Sequence, residues 1–305
     1  MTLRAGLLVR LATVLLLGIP GTPLAAQTPG VEQRRSLEVA GSRRSYLLYL
    51  PSSYVRGRPL PLVLVFHGAG GRGSGMARHT GFTPLAEREG FAVAYPDGLN
   101  RRWNDGRGVG GAQDDVGFVR VLVDSLAGEL GLDRRRIYAT GISNGAMFSY
   151  RLACDLPGVL AAIAPVAGAV PGVLEERCGA TVPVAVVAFQ GTGDPFVPYA
   201  GGGAGLRGGP VLSAERSARL WARVNGCTVP PNADAPTDSV IDGTRVRRES
   251  YPACSNNRAV VLYTIEGGGH TWPGGPAGAH RLGRASREID ATGLIWAFFQ
   301  RHPRT

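Results

Sequence analysis

The sequence predicts an α/β fold with a mostly parallel central sheet and helices on both of its faces. Three observations lead there. Residues 62–66, 91–95, 161–166, 184–189 and 259–265 are short, continuous apolar runs without alternation, as expected of strands buried on both sides. Segments of helical spacing lie between them, so strand and helix alternate along the chain in the manner of βαβ units. A chain of 305 residues, 44% of them hydrophobic, is also large enough to fill one core of that kind.

Taken in order, residues 1–26 read as an export signal. Arg4 and Arg10 precede the apolar stretch 11–19, followed by Pro20, Pro23 and a small-residue exit at Ala25 and Ala26. That stretch is far shorter than the roughly 20 residues of a membrane-spanning helix, so stable membrane insertion is not expected. Residues 27–305 read as one domain, secreted to the periplasm or the medium. Residues 36–50 alternate and suggest a pair of edge strands with a turn at Gly41 and Ser42. A helix is expected over 77–89. Another starts at Asp115, where Val116, Val119, Leu122, Val123, Leu126 and Leu130 share one face and Asp114 or Asp115 caps the first turn. Further helices are expected over 214–224 and about 290–301, the last burying Ile295, Trp296 and Phe299. The polar segment between Cys227 and Cys254 reads as an excursion with a hairpin around Asp242 and Gly243.

All 33 residues counted as Lys+Arg are arginines, and the formal charge is +10. They are scattered rather than gathered into a stripe, and no nucleic-acid motif accompanies them, so nucleic acid is not an expected partner. Four cysteines in an exported chain suggest two disulfides; three connectivities are open to them, of which the pairing between sequence neighbours, Cys154 with Cys178 and Cys227 with Cys254, is the favoured one. No Cys-x-x-Cys spacing is present, so no metal site is expected.

The chemistry concentrates at Gly141-Ile142-Ser143-Asn144-Gly145. A β-branched and aromatic run precedes it and a helix-like segment follows without a break, which predicts a strand, a sharp elbow and a helix with Ser143 at the apex. A serine hydroxyl is a weak nucleophile. It must project clear of the sheet, reach a base and lie beside backbone donors for an oxyanion, and an elbow of this type meets all three needs. Asn144 N–H, at the helix N-terminus, is the first oxyanion donor. The loop after residues 62–66, His67-Gly68-Ala69-Gly70-Gly71, has almost no side chains beyond His67 and supplies Ala69 N–H as the second; His67 itself reads as a structural residue of the turn. Asp194 and His270 each follow a predicted strand, on Gly-rich loops. The chain order Ser143, Asp194, His270 is that of an α/β-hydrolase triad. Trp103 and Trp272, aromatics on loops, are candidates to flank the acyl or aryl group of a substrate.

Several segments together resemble the secreted polyhydroxybutyrate depolymerase and feruloyl esterase group of α/β-hydrolases, related to carbohydrate esterase family 1. They are 66–71, 95–98, 114–118, 138–147, 163–168, 191–199 and 268–274. The resemblance implies a serine esterase with Ser143 as nucleophile, Asp194 as acid and His270 as base, without a metal or organic cofactor. Depolymerases of insoluble polyester usually carry a linker and a separate polymer-binding domain, which this sequence does not have. That shifts the expected substrate toward soluble oligoesters or aryl esters of plant polysaccharide. Acetyl xylan esterase activity, peptidase activity on the same triad, and an inactive carbohydrate-binding protein on a hydrolase fold are the alternatives. Nothing in the sequence predicts an oligomeric state.

Overall fold

The computed structural model describes residues 28–304 apart from 110, 206–207, 229 and 277–278; the expected export signal lies outside the described residues. The strands in chain order are β1 (Gln33–Val39), β2 (Ser42–Tyr49), β3 (Leu60–Phe66), β4 (Ala92–Pro96), β5 (Leu132–Ile142), β6 (Ala162–Val166), β7 (Ala185–Gly191), β8 (Gly202–Gly203), β9 (Pro210–Val211), β10 (Asn232–Ala233), β11 (Arg245–Tyr251) and β12 (Val260–Glu266). The helices are α1 (Gly73–Thr80), α2 (Phe82–Glu89), α3 (Asp115–Leu130), α4 (Asn144–Asp155), α5 (Glu175–Gly179), α6 (Ala214–Val224) and α7 (Ala291–Arg301). All strands but β8 and β9 join one sheet of order β1-β2-β4-β3-β5-β6-β7-β12-β11-β10. Its inner part, from β4 to β12, is parallel, and antiparallel strands extend both edges.

The continuous apolar runs are explained by what covers them. In β3 every residue is buried. Leu62, Leu64 and Phe66 point into the core beneath α3, α4 and α6, whereas Val63 and Val65 point into the core beneath α1, α2 and α7. On the second face Trp296 of α7 stacks on Phe91 and Phe299 on Tyr138, with ring centroids 3.9 and 4.6 Å apart. Among the described residues no helix is long and apolar enough to cross a membrane.

Some boundaries differ from expectation for identifiable reasons. The single helix expected over 77–89 is two helices, because Gly81 adopts a left-handed backbone (φ 70°) that ends α1 and begins α2. Only β1 of the first hairpin is an edge strand, since β2 also pairs with β4, and the turn falls at Ala40 and Gly41, both at positive φ. Asp114 is the cap of α3, its side chain accepting from Gly117 N. Asp115 instead is buried against Arg44 at 2.6 Å. The two disulfides are Cys154–Cys178, tying α4 to α5, and Cys227–Cys254, closing the segment that contributes β10 and β11.

Candidate active site

Ser143 lies where β5 turns into α4, with φ 58° and ψ −122°. A non-glycine residue there costs on the order of 1–3 kcal/mol and persists only where its surroundings over-determine it. Here they do. Ser143 N donates to Val166 O of β6 at 3.0 Å, and Met147 N donates to Ser143 O at 3.0 Å to start the helix ladder. The flanking glycines are needed for space. A Cβ on Gly141 would lie 2.6 Å from Phe66 O, and one on Gly145 would lie 2.4 Å from Phe66 O and 2.6 Å from His67 O. The Ser143 hydroxyl makes no capping hydrogen bond to its own helix, and the residue lines a cleft of about 940 Å³.

His270 follows β12 and lines the same cleft. Its Nδ1 is 2.7 Å from Asp194 Oδ2, and the Asp194 side chain is fully covered. A carboxylate accepts, so Nδ1 is the donor in this contact, which in a neutral imidazole leaves the lone pair on Nε2. The other carboxylate oxygen, Asp194 Oδ1, accepts from Phe196 N and Val197 N at 2.8 and 2.9 Å. Close backbone contact sets the two loops together: Gly193 N donates to Gly268 O at 2.9 Å, and a Cβ on Gly191 would meet Gly268 O at 2.3 Å. The histidine loop is also stitched to residues 282–284, through His270 N to Leu282 O (2.6 Å) and Gly269 N to Arg284 O (2.9 Å).

Ala69 lines the cleft beside Ser143 and Asn144. Among the described residues Ala69 N donates to no backbone carbonyl, while its neighbours Gly70 and Gly71 do so, to Arg101 O and Gly68 O. Asn144 is the first residue of α4, so its N–H stands outside the helix ladder. His67 is 1% exposed. Its Nδ1 donates to Gly68 O at 2.8 Å and its Nε2 accepts from Gly98 N at 3.0 Å, consistent with a structural role. Burial holds this imidazole below its usual pKa.

The two tryptophans are not in the cleft. Trp103 is fully buried, stacked on Phe148 with centroids 4.9 Å apart, and its Nε1 donates to His67 O at 3.0 Å. Its backbone grips the Asn144 amide from both sides, N to Oδ1 at 2.8 Å and Nδ2 to O at 3.0 Å. Trp272 packs edge-on against Phe82 and donates to Thr292 Oγ1, lining a separate depression near Arg78 and Asp290. An aromatic on a loop can face either way, and here the core claims both. The cleft wall is formed instead by Met147, Phe196, Val197 and Leu282, and by Arg102, Arg107 and Arg281. The sequence carried no spacing signal for these. Arg102 and Arg107 do flank the loop noted for Trp103.

A family profile described as Esterase PHB depolymerase matches residues 44–198, a span that includes the elbow and Asp194 and ends before His270. The NocK protein of Nocardia uniformis subsp. tsuyamanensis, an esterase by its name, is 32% identical over 255 residues, 79% of this chain and 74% of that protein. Feruloyl esterase B of Piromyces equi is 30% identical over 244 residues, which are 77% of this chain and 44% of that longer protein. Among solved structures, an acetyl xylan esterase from Aspergillus awamori superposes with a TM-score of 0.62 at 17% identity, covering 89% of this chain and all of that one, a likeness of fold.

Proposed function

This chain belongs to the esterase PHB depolymerase family and is a carboxylic ester hydrolase, and from that premise we propose that it works through Ser143, His270 and Asp194 by way of an acyl-enzyme. His270 Nε2 removes the Ser143 proton as Oγ attacks the ester carbonyl. Asp194 holds the imidazole in the required tautomer and stabilises the cation formed. The N–H groups of Asn144 and Ala69 receive the tetrahedral oxyanion, each worth roughly 3 kcal/mol of barrier reduction. The protonated imidazole then delivers its proton to the leaving alcohol, and water repeats the sequence in reverse. The observation that carries this reading is the 2.7 Å contact of His270 with a covered Asp194, beside a cleft that Ser143 and His270 share.

The apolar wall of Met147, Phe196 and Val197 suits the acyl chain of an aryl ester of the feruloyl kind or of a hydroxyalkanoate oligoester. Two disulfides support a protein exported to an oxidising compartment. Replacing Ser143 with Ala is expected to lower turnover of methyl ferulate and p-nitrophenyl acetate by at least about 10⁴-fold with the thermal melt retained. A fluorophosphonate is expected to label Ser143 in the parent protein. An unchanged esterase rate in the Ala variant rejects the nucleophile.

A further inference from the structure

The charge on the cleft is one-sided. Among the described residues three arginines, Arg102, Arg107 and Arg281, line it, and no aspartate or glutamate does. Arg107 is matched by Asp105, which is fully buried and receives both Nε and Nη2, the latter at 2.7 Å. Arg102 and Arg281 are exposed, and neither forms an ion pair among the described residues. In a chain with 33 basic and 23 acidic residues an unpaired surface arginine is ordinary. Two of them on one cleft whose described lining holds no acid is a local bias.

Both also sit on backbone that the site itself holds. Asn100 and Arg101, just before Arg102, are two successive non-glycine residues at φ 51° and 59°. That conformation is costly for residues with a Cβ and marks a turn fixed by its surroundings. Gly70 N donates to Arg101 O at 2.7 Å, so the turn displaying Arg102 is strapped to the loop that carries Ala69. Arg281 adjoins Leu282, whose carbonyl accepts from His270 N at 2.6 Å. The backbone at Arg102 therefore adjoins the proposed oxyanion loop and that at Arg281 adjoins the loop of the base, and both residues line the one cleft.

We propose that this cleft selects esters bearing a second, ionised carboxylate a few bonds from the scissile carbonyl, held by Arg102 and Arg281. Guanidinium forks match a carboxylate in geometry as well as in charge. The carboxylate can belong to the acyl part, as in the half-ester of a dicarboxylic acid. It can equally belong to the alcohol part, as at the free end of a hydroxy-acid oligomer or on a uronate. The inference rests on the esterase reading above, and the following test separates the two.

Matched pairs of esters differing by one charge are compared by kcat/KM: mono-4-nitrophenyl glutarate against 4-nitrophenyl pentanoate for the acyl side, and the linear hydroxybutyrate dimer against its methyl ester for the alcohol side. At low ionic strength the anionic member of one pair is expected to be preferred about tenfold, and that pair tells which part carries the charge. The preference is expected to shrink toward unity in roughly 0.5 M NaCl and in the double variant Arg102→Gln, Arg281→Gln. The ratio of two substrates on one preparation is insensitive to partial misfolding. Neutral esters hydrolysed as fast as anionic ones in both pairs, or a preference untouched by salt and by the double substitution, would overturn the inference and leave the esterase standing. No hydrolysis of any of the four would overturn both.

Discussion

At Asn144 the backbone and the side chain serve different neighbours. The N–H is a proposed oxyanion donor, whereas the amide is bound by the Trp103 backbone and by Asp105 Oδ2 at 2.8 Å. Asp105 thus joins the residue after Ser143 to Arg107, whose Nη1 in turn donates at 3.1 Å to the carbonyl oxygen of Ala204, another residue that lines the cleft. Removing one member of a buried pair leaves the other charge without compensation, typically at 3–5 kcal/mol. Asp105→Ala is therefore expected to lose about 3 kcal/mol or more in urea denaturation and to lower kcat, while Asp105→Asn, which keeps the shape and one acceptor, loses less. A loss under about 1 kcal/mol in the Ala variant would mean that water replaces the carboxylate freely. The sequence brought attention to this loop for its tryptophan, yet the informative residue was the acid two positions later. An aromatic, an asparagine and an aspartate in a loop do not say which of them faces inward. That depends on Phe148 and Asn144, some 40 positions away in the chain.

The elbow was legible because its glycines have a steric purpose that few other sites impose. At Gly145 helix α4 passes so close to the end of β3 that a methyl group would strike two carbonyl oxygens, Phe66 O in that strand and His67 O in the turn that follows it. Gly145→Ala is expected to cost about 3 kcal/mol or to prevent folding, and Gly128→Ala is the control. Gly128 lies on the exposed side of α3, where an added Cβ meets nothing within 4 Å. Alanine there is expected to raise stability by about 0.5–1 kcal/mol through helix propensity and a less flexible unfolded chain. Melts of the two variants moving in the same direction would contradict the packing described for the elbow. Other elements were less readable. The break at Gly81 looks in sequence like one more tolerated helical glycine. The strand β10 is only two residues long and exists because β11 offers it an edge.

Across the whole molecule, the inner strands announced themselves by being apolar on both faces, because helices cover each face of the sheet. The segment at 280–284 that braces His270 had no such signature, since its contacts are backbone to backbone. The same layered burial sets how the protein responds to acid. His67 is enclosed where β3, the elbow and the Trp103 loop meet. Burial is the main cause that lowers its pKa from 6.5; nearby Arg101 and Arg72 act in the same direction, whereas the Gly68 carbonyl and Asp97 oppose it. His302, at the C-terminus, is lowered as well, chiefly by burial. A histidine with a depressed folded pKa binds more protons when unfolded, so stability rises with pH between the two values. This contribution is complete above the unfolded value near 6.5 and is lost as pH falls through the folded one. Free energies of unfolding measured in urea at about pH 7.5 and pH 5 are expected to differ, with the lower value at pH 5. His67→Gln retains an acceptor for Gly98 N but cannot titrate, so the difference should narrow in that variant. An equal pH dependence in the parent and in His67→Gln would show that the imidazole takes up its proton in the folded protein without penalty, and that the enclosure around it opens readily to water.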